Sequence, residues 1–194
     1  MRRGLAIVLG GLMLAGGSGQ PAASGDAEAG RKIANMCQTC HGLDGYARIP
    51  IAPHIGGEPK DYLEAQLMAF KTGARAHEMM SVVTASLSAQ QIADVAAWYA
   101  SANVVATLPA GVSESDAPSA CVSCHGADGI SVLLDAPNLA GEVNIYIDTQ
   151  LKAFRNGKRK HDIMSEISAG LSDAEIRAVA DWYADVEVEI TLAD

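Results

Sequence analysis

Apolar residues in this chain recur with helical rather than strand spacing. Tyr62, Leu63, Gln66, Leu67 and Phe70 fall at three- and four-residue intervals and predict a helix that stops at Gly73. Leu87-Ser88, followed by Gln91 and Ile92, has the form of a capping box with a hydrophobic staple. It opens a second helix that runs through Trp98 and Tyr99. Both patterns return later. Tyr146, Gln150, Leu151 and Phe154 precede Gly157, and Leu171-Ser172 with Glu175 and Ile176 precedes Trp182 and Tyr183. Asp26 to Met36 predicts one further helix, whose later counterpart is shortened by Pro118. No segment reads as an alternating strand, so the expected fold class is all-α.

The recurrence is a repeat without gaps. Shifted by 84 residues, 29 of the 64 positions from Cys37 to Ala100 are identical. A period this long, present twice, marks tandem duplication of one small domain rather than a solenoid. The expected layout is an N-terminal domain at 25–103, a linker at 104–113 carrying Pro109 and Gly111, and a C-terminal domain at 114–194. Ahead of them, Arg2 and Arg3, the apolar stretch Leu5 to Leu14 and small residues through Ser24 predict a signal peptide over 1–24. The apolar stretch is short of the ~20 residues that span a bilayer, which disfavours an uncleaved anchor. No later segment is apolar enough to span. The mature chain is therefore expected to be periplasmic, with no transmembrane segment.

Charge narrows the partners. The chain has 14 Lys+Arg and 23 Asp+Glu; without residues 1–24, which hold Arg2 and Arg3 and no acid, 12 face 23, a net −11. That balance argues against nucleic acid and anionic lipid surfaces. Aromatic residues make up only 5%, thin for two small cores, so another source of buried apolar surface is needed.

The cysteines supply it. All four lie in Cys37-Gln-Thr-Cys40-His41 and Cys121-Val-Ser-Cys124-His125, in register with the repeat. Two thiols three positions apart can add to the vinyl groups of a haem, and the adjacent imidazole then lies beneath the iron. A thioredoxin-like pair would want a βαβ setting, and a zinc site would need both pairs in one place. Two disulfides would leave both histidines unexplained. Two covalent haems c are therefore expected.

The second axial ligand has two candidates in each half. Met80 stands 39 residues after His41, and Met164 stands 39 after His125. Each is expected in a loop between two helices. His77 and His161, three residues earlier, compete with them, cap a helix end or meet a propionate. Met79 reads as core filling, because Ile163 occupies its place in the repeat. Trp98 and Trp182 read as packing residues. Arg75 and Arg159 read as facing a partner, a propionate or solvent. His54, Tyr46 and Arg48 belong to the first half only. Two equal methionines argue against a dihaem peroxidase or gas sensor, which needs an iron with an open position.

C-x-x-C-H, then Pro137-Asn138-Leu-Ala-Gly141, a Met-Ser loop, Leu-Ser and a helix ending Trp-Tyr-Ala resemble a class I cytochrome c domain. Two in tandem behind a signal peptide resemble the dihaem cytochrome c4 family, over about residues 26–186. The cytochrome subunits of flavocytochrome c sulfide dehydrogenases share that plan. The resemblance implies haem c in each domain, with axial ligands His41 and Met80, and His125 and Met164. It also implies two domains related by a pseudo-twofold axis, with propionates turned toward the interface. Two features depart from the pattern: His54 stands where the second half has Asn138, and Pro118 cuts the second domain's first helix. The expected function is single-electron transfer between redox proteins, such as a respiratory complex and a terminal oxidase or reductase. The alternative is the electron-accepting subunit of a flavoprotein that oxidises reduced sulfur.

Overall fold

The computed structural model describes residues 24–192; the predicted signal peptide lies outside them except for its last residue. In the first domain, α1 (Ala27–Ala34) is followed by the single turn α2 (Gln38–His41), then α3 (Lys60–Thr72), α4 (Glu78–Ala85) and α5 (Ala89–Ala100). The second domain repeats α2 to α5 as α6 (Val122–His125), α7 (Asn144–Arg155), α8 (Asp162–Ala169) and α9 (Asp173–Ala184). The predicted capping boxes are present. Ser88 and Gln91 close the start of α5, and Ser172 and Glu175 close that of α9. Gly73 ends α3 in the left-handed region, at φ 78°. Its side-chain-free backbone reaches that conformation without strain.

The core of each domain is the packing of its last helix on its central one. Leu63 meets Val95, Ala96 and Tyr99 in the first domain, and Ile147 and Leu151 meet Ile176, Val179, Ala180 and Tyr183 in the second. In the first domain α1 also lies on α5. Asp26 caps it by accepting from the N–H of Glu28 and Ala29. Gly30 permits the contact: a Cβ there would stand 2.0 Å from the Asp94 carbonyl oxygen. In the second domain a single 3-10 turn (Glu114–Asp116) stands where α1 would be, upstream of Pro118. Linker residues Leu108, Pro109 and Val112 line a hollow with Trp182 instead.

Among the described residues the fold is helical apart from one ribbon, which the sequence pattern did not predict. β1 (Asn103–Thr107) and β2 (Glu187–Thr191) pair antiparallel, from Asn103 with Thr191 to Thr107 with Glu187. Residues 104–107, expected to open the linker, are thus a strand. Glu187-Val-Glu-Ile-Thr191 does alternate, but neither strand is stable without a partner more than 80 residues away in sequence. The pair Val105 with Glu189 lies at the centre of the ribbon and relates residues 84 apart. The two domains therefore meet about a pseudo-twofold axis.

Side chains repeat that symmetry. Arg75 donates to Gln66 Oε1 in its own domain, at 2.7 Å, and to Gln150 Oε1 (2.8 Å) and Tyr146 Oη (3.2 Å) across the interface. Arg159 mirrors it, donating to Gln150 at 2.9 Å, Gln66 at 2.9 Å and Tyr62 at 3.1 Å. Each guanidinium also lies 4.5 Å from a ring centroid, of Phe70 or Phe154. Both arginines thus hold the two domains together, a role that the reading as partner-facing or solvated residues did not anticipate.

Candidate functional site

Each C-x-x-C-H motif forms one turn of helix. Cys37 and Cys121 are the N-cap residues, and the His41 and His125 N–H groups donate back to their carbonyls, at 3.0 Å in both domains. The i, i+3 spacing puts both sulfurs of a pair on one side of the turn. None of the four cysteines is in a disulfide, and all are half-buried. Burial pushes the Cys37 thiol up to about 11 and raises Cys121 as well. A disulfide-exchange thiol would be shifted the other way, toward the thiolate.

Both imidazoles are buried, and burial holds their pKa below the usual histidine value. His41 Nδ1 lies 2.9 Å from the Pro53 carbonyl oxygen, and His125 Nδ1 lies 2.8 Å from that of Pro137. A carbonyl only accepts, so Nδ1 carries the proton in both and Nε2 keeps its lone pair. That is the tautomer of a metal-binding imidazole oriented by its outer hydrogen bond. Half-buried thiols beside a neutral imidazole fit the covalent attachment and axial ligation of a haem.

The Trp-Tyr pair of each last helix fixes the turn from behind. Tyr99 Oη donates to the Gly42 carbonyl and Trp98 Nε1 to that of Leu43. Tyr183 and Trp182 do the same at Gly126 and Ala127. Trp98 also lies beneath Arg31 of α1, with the guanidinium 5.8 Å from the ring centroid.

Met80 and Met164 are not in loops: each lies in the first turn of a short helix, α4 or α8. The reason is the histidine three residues before. His77 Nδ1 accepts the Met80 N–H and His161 Nδ1 accepts the Met164 N–H, so both histidines are N-caps. Ser81 and Ser165 return the bond to the histidine N–H groups. Both methionines are half-buried, and Met164 packs against the cluster that also holds Cys121. Met79, read as core filling, is instead 60% exposed, as is Ile163 at 55%. Helical geometry turns them away from the face that Met80 and Met164 present.

His54 departs from the repeat in residue type but not in bonding. Its Nδ1 accepts from the Ala47 N–H at 2.9 Å, so Nε2–H donates to the Gly141 carbonyl of the other domain, at 3.0 Å. Asn138 accepts from the Ser131 N–H and donates to the Gly57 carbonyl, the same pair of bonds shifted by 84 residues. A neutral imidazole reproduces the reach of an amide. Glu58 and Glu142 escaped the sequence reading, although the repeat keeps them identical. Both are buried at this interface, and Glu58 Oε2 accepts the Asn138 N–H at 2.8 Å.

Comparison with known proteins agrees with this geometry. Residues 27–103 match the cytochrome c family, and residues 111–182 match the family of cytochrome c oxidase, cbb3-type, subunit III. Cytochrome c4 from Pseudomonas aeruginosa is 34% identical over 188 residues, covering 88% of this chain and 94% of that protein. This chain belongs to the cytochrome c4 family. The crystal structure of reduced recombinant cytochrome c4 from Pseudomonas stutzeri superimposes with a TM-score of 0.73 at 30% identity, covering 84% of this chain and 100% of that one. A thiosulfate dehydrogenase electron acceptor from Stutzerimonas stutzeri is 35% identical over 173 residues, 79% of this chain and 80% of that protein. As a cytochrome c4 the protein is a dihaem electron carrier and not an enzyme, with one covalent haem c in each domain.

Proposed function

We propose that this cytochrome is an exported, periplasmic shuttle for single electrons, with His41 and Met80 as axial ligands of the first haem and His125 and Met164 of the second. The observation that carries the reading is the equivalence of the two sites. Each presents the same thiol pair, the same Pro-bound imidazole and the same methionine at the head of a capped helix. When bound, the haem supplies an iron that gains or loses one electron. The protein's part is to keep that change cheap in reorganisation. The Pro carbonyls and the Trp-Tyr pairs hold the imidazole side, and the His77 and His161 caps hold the methionine side. A thioether favours the reduced iron over a second imidazole and closes the sixth position to oxygen or peroxide. Changing Met80 or Met164 to Ala should abolish the far-red band of thioether-ligated ferric haem in one domain only. Persistence of the full band in either variant would refute that ligand.

The donor is proposed as a respiratory complex and the acceptor as a terminal oxidase or reductase. Exposed Met79, Val82 and Ile163 on the methionine-bearing helices offer apolar surface for brief docking. No described helix is long and apolar enough to cross a membrane. A second reading is favoured by the relative that accepts electrons from thiosulfate dehydrogenase. In it, an enzyme oxidising thiosulfate or sulfide is the donor. Native purification from the periplasm, followed by haem absorbance and assayed for flavin, separates the two. A haem peak at the size of one chain without flavin supports the shuttle; a flavoprotein or sulfur dehydrogenase that co-elutes through moderate salt supports the second reading.

A further inference from the structure

The contacts that join the domains also reach the two imidazoles. The Pro137–Asn138 peptide unit accepts His125 Nδ1–H on its carbonyl and donates its N–H to Glu58 Oε2 of the first domain, both at 2.8 Å. The Pro53–His54 unit stands in the same relation. Its carbonyl accepts His41 Nδ1–H at 2.9 Å, and the buried Glu142 carboxyl of the second domain lies beside its N–H. Each imidazole is thus one peptide unit away from a carboxyl that belongs to the other domain. These carboxyls are only 4% and 3% exposed, and Glu142 Oε2 is buried with no hydrogen-bond partner.

We propose that Glu58 and Glu142 form a crossed proton-binding site, in which each carboxyl takes up a proton when the opposite domain gains an electron and so sets that domain's reduction potential. The inference rests on His41 and His125 being the proximal ligands. A carboxylate accepting the peptide N–H drives electron density onto the carbonyl oxygen. The carbonyl then holds the imidazole N–H more strongly, and the imidazole becomes a more basic ligand that favours the oxidised iron. A protonated carboxyl relaxes the chain and favours the reduced iron. The balance is one electron from the reduced donor protein and one proton from solvent; the carboxyl O–H is the only bond that forms.

The surroundings suit proton exchange. Glu58 faces the Asn138 N–H, the Glu142 carboxyl and the Tyr62 hydroxyl; Glu142 faces the N–H groups of His54 and Val143. The nearby cations, Arg75 and Arg159, are engaged with Gln66, Gln150, Tyr62 and Tyr146. Burial raises both carboxyls above the usual range, Glu142 to about 8, and their mutual repulsion raises Glu58 further.

The test uses the haem-loaded protein and its Glu58→Gln and Glu142→Gln variants, which keep the shape of each side chain and remove its titrating proton. The potential of each haem is resolved by NMR from mildly acidic to alkaline pH, past the raised carboxyl values. In the native protein both potentials should fall as pH rises through these carboxyls. Glu58→Gln should flatten that fall in the C-terminal domain alone, and Glu142→Gln in the N-terminal domain alone. Flattening in the variant's own domain, in both domains equally or in neither overturns the proposal. Should a variant fail to assemble, the Nδ1–H resonances of His41 and His125 in the reduced native protein decide it. They move with pH if the relay exists, and fixed positions refute it. Absence of attached haem, read from absorbance beforehand, would overturn the parent reading itself.

Discussion

Replacing Glu142 by Gln changes one atom type in a side chain that is 3% exposed, and it should alter how stability depends on pH. In the folded chain burial raises this carboxyl from 4.5 to about 8. Between those values the unfolded chain has lost its proton while the folded chain keeps one. The folded state binds more protons, so stability falls as pH rises through this window and is flat on either side. At pH 7 the window has been crossed for about 2.5 units, which at about 1.4 kcal/mol per unit costs roughly 3 kcal/mol. Glutamine has no proton to lose. Relative to the native chain, the variant should gain about 3 kcal/mol between pH 4 and pH 7, whatever its offset at pH 4. The offset should be small, because the amide matches the protonated carboxyl in shape and the second Glu142 oxygen has no partner to lose. Urea unfolding of the oxidised haem-loaded protein, followed by circular dichroism at several pH values, measures it. Titrations common to both proteins cancel in the difference. Parallel stability profiles from pH 4 to pH 8 would refute a buried carboxyl that holds its proton.

Further predictions concern the domain interface. Arg75→Ala and Arg159→Ala should each cost about 1–3 kcal/mol, because each leaves half-buried oxygens of Gln66, Gln150 and a tyrosine without their donor. Combined, they should cost less than the sum, since the two guanidinia share both glutamines; additive losses in urea unfolding would contradict the shared network. His54→Asn should keep the fold, since Asn138 makes the equivalent bonds with an amide. Burial holds the folded His54 below its unfolded pKa, so the unfolded state binds the extra proton and the native chain loses stability as pH falls below about 6.5. The variant should lack that loss, and an unchanged acid limb in thermal melts would refute the assignment.

What the sequence showed and what it hid follow from where the information lies. The repeat, the C-x-x-C-H turns and the two capping boxes are local patterns, and each appears in the structure at the residues that predicted it. The ribbon is not local. Asn103–Thr107 alone is five residues of unremarkable composition, and only its partner at Glu187–Thr191 makes it a strand. The same holds for Arg75, Arg159, Glu58 and Glu142. Their identity across the halves was visible, but in a duplicated chain it suggests a shared role within each domain. Only the pseudo-twofold axis shows that each serves the other domain. His54 looked like a departure because its residue type differs, yet a neutral imidazole and an amide make the same two bonds here. Met79 was assigned inward because its partner Ile163 is apolar, whereas the short capped helix turns both outward.

Two covalently attached haems on a processed chain are tested most directly by the intact mass of the denatured protein isolated from its native host. One species is expected, a chain beginning near Gly25 plus two haem masses that survive denaturation. A mass equal to the polypeptide alone, or with a single haem, would contradict it.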